Sequence, residues 1–451
     1  MKKIQKVLKY IKNGGELFMK KKLLKNAYII ISADFPVQKA DILISENEIL
    51  QVFPNGYNEK NFQEIEVWDM SGKLITPGFI NSHSHVAMTL FRGVADDMNF
   101  KEWLFDNMLP REELLDDESV YYASMLALME MSAKGITFSA DMYFFTNSIC
   151  KAFSDIGMRG CISRGLSFDD QKGWDRRLDE TMDTYNRYNG YKNLLEVGFG
   201  PHAPYTVPME RLAEVASLAK KLGASVQMHI YESAWEKESY TFDDLDKTGI
   251  FDTKLIAAHC VQVDMQDIKT LAAKNVTVVH NPCSNLKLGN GTAPVIAMLD
   301  ENVNVTVGTD GAASNNSLDI LGEMKIMALS QKSKYSPSQV KINDVLRMAW
   351  ENGGYAFGKK MGRIEPGYYA DLAVFDISKP SFYPTDLQRL KSHIVYSTGS
   401  DSIFATMVNG EWIYYNGTYP LIKESDIYEK FQKSFIRIES TFNGNPVIPG
   451  N

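Results

Sequence analysis

The spacing of apolar and polar residues changes character twice along the chain. In residues 19–76 the segments AYIIIS, DILISENEILQV and EIEVWDMSGKLITPG alternate apolar with polar positions and break at Asn, Gly and Pro. Such alternation predicts short half-buried strands joined by turns. Further on, short β-branched runs alternate with helical stretches such as MERLAEVASLAKKLG. The runs are LITPGFINSHSH, TFSADMYF, RGCISRGL, LEVGFGPH, SVQMHI, LIAAHC, VTVVHNP and VNVTVGTDG, eight in all. Eight strand-then-helix units predict an α/β fold, a parallel (β/α)8 TIM barrel over 77–360. The strand texture then returns in ADLAVFDI, IVYS and IFATMVNGEWIYYNGTY, with Asn-Gly turns at 409–410 and 416–417. The two β-rich ends, 19–76 and 361–424, predict one small β-sandwich domain. DIYEKFQKSFIRIESTF predicts a closing amphipathic helix within a final segment, 425–451.

The first residues stand apart from this plan. MKKIQKVLKYIKNGGELF carries five lysines, with Ile4, Val7, Leu8 and Ile11 at helical spacing. We read 1–18 as an extension without function, the fold beginning near Met19; a short basic helix lying on a membrane surface is the other reading. The 451 residues are 44% apolar, enough for a large core and unlike a disordered chain. A net charge of −8 argues against nucleic acid as a partner. No apolar run approaches the ~18 residues of a membrane span. Four scattered cysteines without a C-x-x-C pair fit a reduced, cytoplasmic protein and exclude a zinc ribbon.

The histidines carry the chemistry. Six of the seven lie at the C-terminal ends of predicted strands: His83 and His85 after the first, then His202, His229, His259 and His280. Asp310 closes the eighth run. In a parallel barrel that rim is where active sites are built, so residues distant in sequence converge there. Alternate side chains of an extended H-x-H point the same way, so His83 and His85 can share one ion. Imidazole and carboxylate suit a divalent metal such as zinc. His393 lies outside the pattern and reads as structural.

Several segments together resemble the amidohydrolase superfamily over about residues 19–445: PGFINSHSH, MHIYES, AAHC, GTDGAASNN and GRIEPGYYADLAVFD. Within it, HVAMTLFRGVADDMNFKEWLFDNMLPREELL, GFGPHAPYTV and HNPCSNLKLGNGTAPV are similar to the 5′-methylthioadenosine/S-adenosylhomocysteine deaminases. The resemblance implies His83, His85, His229 and Asp310 as ligands of one divalent ion, zinc by default. Dinuclear relatives carry a bridging lysine after the fourth strand; EVGFGPHAPY has none, so a single metal is expected. It also implies hydrolytic conversion of adenine to hypoxanthine with release of ammonia, the ion lowering the pKa of water from 15.7 toward ~7. Glu232, His259 and Asp310 would be the catalytic groups, with Glu232 delivering a proton to N1 of adenine. Glu112 would accept the ribose hydroxyls, His202 would contact the nucleoside, and Arg164 and Arg177 would meet the tail. Glu232 and Asp310 also count among the substrate contacts.

Alternatives stay open at particular residues. Glu232 could be the acidic start of a helix, and His280 could hold its loop by hydrogen bonds. The register at Arg177 could pass to Arg176. Guanine or a triazine could replace the nucleoside as substrate, and a non-catalytic scaffold would keep the fold without the ion. The expected partner is a small purine nucleoside; the oligomeric state is open, a homo-oligomer included.

Overall fold

The computed structural model describes residues 21–54, 56–57 and 65–444. The expectations for 1–18 and for the last seven residues of the tail lie outside the described residues. Five strands come first: β1 (Lys21–Ile29), β2 (Gln38–Ser45), β3 (Glu48–Phe53), β4 (Ile65–Asp69) and β5 (Lys73–Pro77). Gly78 alone separates β5 from β6 (Phe79–His85). The parallel strands follow: β7 (Ile136–Tyr143), β8 (Arg159–Leu166), β9 (Leu195–Pro201), β10 (Ser225–Ile230), β11 (Lys254–His259), β12 (Thr277–His280), β13 (Asn304–Val307) and β14 (Asp310–Gly311). Three more, β15 (Leu372–Asp376), β16 (Ile403–Val408) and β17 (Glu411–Tyr415), return to the first group.

The parallel strands form one curled sheet in the order β13-β12-β11-β10-β9-β8-β7-β6-β14. Every residue of β7 and of β8 is buried, because helices cover one face and the sheet interior the other. The sheet curls far enough for β14, two residues beyond β13, to pair with β6: Asp310 lies opposite Ser84 and Gly311 opposite His85. Gly308 makes that jump feasible. A Cβ there would sit 2.6 Å from Asn281 Oδ1 and 2.9 Å from the His83 backbone nitrogen.

The remaining strands form a second sheet from both ends of the chain, β17-β16-β15-β5-β1-β2-β3, with β4 beside β1. β15 runs antiparallel to β5, so the returning chain grips the strand that feeds directly into β6. Between the sheets, Arg159 at the start of β8 makes a buried two-point contact with Asp371, at 2.7 and 3.1 Å. The Asn-Gly pairs turn as expected: Asn409, Gly410, Asn416 and Gly417 all have left-handed φ.

One local expectation is corrected. IVYS is not a strand; it ends the helix Leu390–Tyr396. Leu390, Ile394 and Val395 bury one helical face, and a short apolar run cannot be assigned by periodicity alone. No described helix is long and apolar enough to cross a membrane.

A side-chain amide fastens the seam where the curled sheet meets itself. Asn81 Nδ2 donates to Thr309 Oγ1 (2.8 Å), and Thr309 N–H donates to Asn81 Oδ1 (3.0 Å), both buried. Asn81→Ala leaves a buried N–H without a partner, one residue from Asp310. We expect a loss of about 2–3 kcal/mol in urea unfolding, with the slope unchanged.

Candidate metal centre and active site

The rim described by the parallel strands gathers the predicted donors. His83 and His85 end β6, His229 lies in β10, and Asp310 begins β14. Three imidazole Nε2 atoms and one carboxylate oxygen meet there. His229 Nε2 is 3.2 Å from that of His83 and 3.3 Å from that of His85. Asp310 Oδ1 is 3.5 Å from His83 Nε2 and 3.2 Å from His85 Nε2. Ligands of one zinc ion stand about 3.3–3.4 Å apart when adjacent, and these four separations are of that size.

The hydrogen bonds behind the rings make the same demand. The Nδ1–H of His85 donates to Met142 O (2.6 Å), and that of His229 donates to His202 O (2.7 Å). Each bond turns an Nε2 lone pair toward the centre. Two buried lone pairs facing each other at 3.3 Å repel unless positive charge lies between them. The titration of His85 carries the same sign: burial lowers it, but Asp310 outweighs burial and pushes it up to about 9. A cation at the centre would displace that proton. Burial alone would raise Asp310, yet the His83 and His85 contacts hold it well below the usual carboxylate range.

His259 is also close, and His83, His229 and His259 form a second possible ligand group. Its hydrogen bonds argue against ligation. Asn285 Nδ2 donates to His259 Nδ1 at 2.8 Å, so Nδ1 accepts and the proton sits on Nε2. His259 therefore presents a donor where His85 and His229 present lone pairs. Its Nε2 lies 3.5 Å from Glu232 Oε2. Burial, reinforced by the Asp310 charge, pushes the Glu232 carboxyl well above its usual range. The other Glu232 oxygen accepts from Asn290 Nδ2 (2.9 Å). The backbone is left-handed at both His259 (φ 72°) and Asp310 (φ 62°). Such backbone is costly for residues with a Cβ and concentrates at functional sites.

A chamber of about 200 Å3 opens onto these groups, with His85, His229, Glu232, His259 and Asp310 in its lining. Phe100, Trp103, Leu104 and Phe144 supply apolar wall, and His202 and Glu112 add polar groups. The His202 Nδ1–H donates to Thr206 Oγ1, which itself donates to Ala203 O. His202 Nε2 is thus left as an acceptor, and burial keeps the ring neutral, lowered to about 4. Glu112 Oε1 accepts from the Tyr143 hydroxyl at 2.6 Å.

The structure does not bring the two arginines to the chamber. Arg164 stands behind Phe144, 5.0 Å from its ring, and pairs with Glu180 at 2.8 Å. Arg177 makes a two-point contact with Asp169 (2.7 and 2.8 Å). Arg164 and Arg176 instead line an outer groove of about 1000 Å3. His280 is fully buried, with neither ring nitrogen bonded to a protein group. Sequence reasoning missed the supporting shell. Ser284 and Ser314 both donate to Asp310 Oδ2, at 2.6 and 2.8 Å. Ser284 and Asn285 lie inside the quoted HNPCSN motif, and Ser314 inside GTDGAASNN. The motifs marked the place without revealing the partners.

The model of the amidohydrolase family matches residues 74–413. The chain belongs to that family. A 5-methylthioadenosine/S-adenosylhomocysteine deaminase of Thermotoga maritima is 44% identical over 372 residues, 82% of this chain and 89% of the relative. A 5′-deoxyadenosine deaminase of Methanopyrus kandleri is 38% identical over 416 residues, 89% and 95% of the two chains. The crystal structure of an adenosine deaminase from Xanthomonas campestris, with bound zinc, superposes with a TM-score of 0.87 at 27% identity. That match covers 93% of this chain and 99% of the other.

Glu112 gives this site a stability signature. Burial, opposed by the Tyr143 hydrogen bond, raises its carboxyl from 4.5 to about 7. Its folded form holds a proton that the unfolded chain releases, so its contribution is complete below about pH 4.5. That contribution is lost as pH rises through 7. Relative to Glu112→Gln, the wild type should lose up to about 3 kcal/mol between those limits in paired denaturation curves.

Proposed function

We propose that this protein is a metal-dependent hydrolytic deaminase that converts the adenine of a small nucleoside to hypoxanthine and ammonia. The observation that carries the reading is the geometry of two carboxyl groups at one rim, Asp310 Oδ1 at 3.2 Å from His85 Nε2 and Glu232 Oε2 at 3.5 Å from His259 Nε2. The imidazoles hold Asp310 well below the usual carboxylate range, while burial pushes Glu232 well above it. The names of the relatives, which are adenine nucleoside deaminases, support the same chemistry.

His83, His85, His229 and Asp310 would hold the ion, and zinc suits three imidazoles and a carboxylate. When bound, the ion would supply hydroxide near neutral pH. The side chains divide the remaining work. Glu232 delivers its proton to N1 as the ring loses aromaticity at C6. The His259 Nε2–H donates to the attacking oxygen and fixes its line of approach. Asp310 Oδ1 takes one proton from water and passes it to the departing amine, and the second water proton leaves the C6 oxygen and restores Glu232.

His202 Nε2 accepts from the purine nucleoside, and Glu112 accepts from the ribose hydroxyls. Guanine or a triazine would make no use of Glu112. Arg164 and Arg177 belong to the outer part of the site in this reading. Each already holds a carboxylate, so a charged tail has to displace Glu180 or Asp169. The apolar wall favours a short 5′ substituent.

The second sheet fits a small β-sandwich against a closed eight-strand barrel, following the boundaries 19–76 and 361–424 around 77–360. Trp68 of β4 touches Trp412 and Tyr415 of β17, at 5.5 and 5.2 Å between rings. Strands far apart in the sheet order thus meet face to face. Buried free cysteines suit a reducing cytoplasm.

Metal-loaded protein should release ammonia from methylthioadenosine, 5′-deoxyadenosine and adenosine, with S-adenosylhomocysteine at or below methylthioadenosine in kcat/KM. Failure on all four nucleosides defeats the reading. Glu232→Gln should lower kcat by about 10²–10⁴-fold. Chelation should abolish turnover, and one equivalent of ion should restore it. Glu112→Ala should damage nucleoside turnover far more than that of a free base; equal damage would favour a base or triazine as substrate.

A further inference from the structure

The carboxylate assigned to the ribose sits on a part of the chain that the strands do not support. It follows a π-helical stretch, Glu102–Met108, and lies at the end of a single turn, Leu109–Glu112. Wide π turns are rare and often sit at functional sites. This stretch supplies chamber wall through Trp103 and Leu104 while Phe105 and Leu109 are 45% and 40% exposed. Tyr143 holds the Glu112 carboxylate itself, at 2.6 Å. The backbone beneath it needs a separate restraint.

The neighbouring side chain supplies one. Arg111 is buried and points to the last helix, Glu424–Phe442. Its Nε and Nη2 donate to the two carboxylate oxygens of Glu439, at 2.7 and 3.3 Å. Its guanidinium lies 3.6 Å from the centroid of the Phe442 ring. Its Nη1 donates to Asn107 O inside the π-helical stretch, at 3.1 Å. Two-point pairing, stacking and burial together make a stiff contact, unlike an ordinary surface ion pair. A second arginine of the same helix repeats the attachment downstream: Arg437 donates to Leu114 O (3.2 Å) and pairs with Asp116 (2.8 Å). The helix has its own anchorage, with Ile427 and Ile438 in the main core.

We propose that the last helix is a strap that positions Glu112, and that Arg111, Glu439 and Phe442 are positioning residues for ribose recognition. This rests on the reading of Glu112 as the group that meets the ribose hydroxyls. Successive residues of a helical turn point about 100° apart, so Arg111 and Glu112 can serve different sides of one turn. Specificity for the sugar then depends on contacts more than 320 residues further along the chain.

The test uses the full metal-loaded chain with Glu439→Gln, Phe442→Ala and Glu112→Ala. Adenosine and 2′-deoxyadenosine are compared by kcat/KM, and amide exchange is followed across 102–115. The strap predicts that Glu439→Gln and Phe442→Ala lower the ribo-to-deoxy ratio at least fivefold, through KM for adenosine. It also predicts at least tenfold faster exchange in 102–115, with the parallel strands unchanged. A ratio within twofold of wild type in both variants overturns the strap. Should Phe442→Ala fail to fold, the isosteric Glu439→Gln decides alone. If wild type turns over no nucleoside, or Glu112→Ala leaves the ratio intact, the ribose reading fails. Exchange then judges the strap alone, and unchanged exchange across 102–115 overturns it.

Discussion

Three imidazole nitrogens and a carboxylate oxygen crowd together in a buried centre, where His229 and Asp310 each approach both His83 and His85 to 3.2–3.5 Å. That crowding is the constraint on which the rest of the site depends. Water cannot screen it, and no apolar rearrangement relieves it; only positive charge at the centre does. Every nearby device preserves the crowding. Met142 O and His202 O set the tautomers of His85 and His229. Gly308 and Asn81 bring Asp310 against β6. The cost of holding these groups together is borne by the sheet, whose strands are buried and hydrogen-bonded along their length.

Asp310 shows how the supporting shell divides one carboxylate into two functions. Its Oδ2 receives two serine hydroxyls, which leaves Oδ1 as the oxygen turned toward the imidazoles. A freely rotating carboxylate would trade its oxygens and lose that orientation. Asn285 performs the corresponding service for His259, by selecting the tautomer that donates from Nε2. Two neighbouring residues, Ser284 and Asn285, thus set different groups of the same centre.

Much of this was legible in the sequence, for physical reasons that differ by residue. Strand ends were legible because a buried parallel strand must be a continuous β-branched run, and histidine interrupts such a run conspicuously. His83, His85, His229 and Asp310 therefore announced a shared rim. IVYS is a helix end that its pattern does not reveal, because so short a run, three apolar residues and a serine, carries no period of its own. The partners of Arg164 and Arg177 were out of reach because Glu180 and Asp169 are ordinary acids, one in the polar helix Gln171–Tyr188 and one in the loop before it. Nothing in their spacing says which cation they neutralise. Ser284 and Ser314 were equally silent, since a hydroxyl that caps a loop and one that clamps a ligand look alike in a sequence. The strap on Glu112 is the extreme case, because it joins residues more than 320 positions apart.

The same burial yields opposite protonation states at Asp310 and Glu232, and the difference lies in their neighbours. Both carboxyls are withdrawn from water, which favours the neutral acid in each. Asp310 is met by imidazoles and hydroxyl donors that stabilise its charge. Glu232 faces the Asp310 charge, with one amide donor from Asn290 to oppose it. Ionising Asp310 therefore helps to keep Glu232 protonated, so the two states sustain each other. His259 lies between these demands as a neutral donor, because a charged imidazole there would stabilise Glu232 as the anion and remove the acid. The tautomer set by Asn285 thus matters for the charge of its neighbour as much as for the direction of its own hydrogen bond.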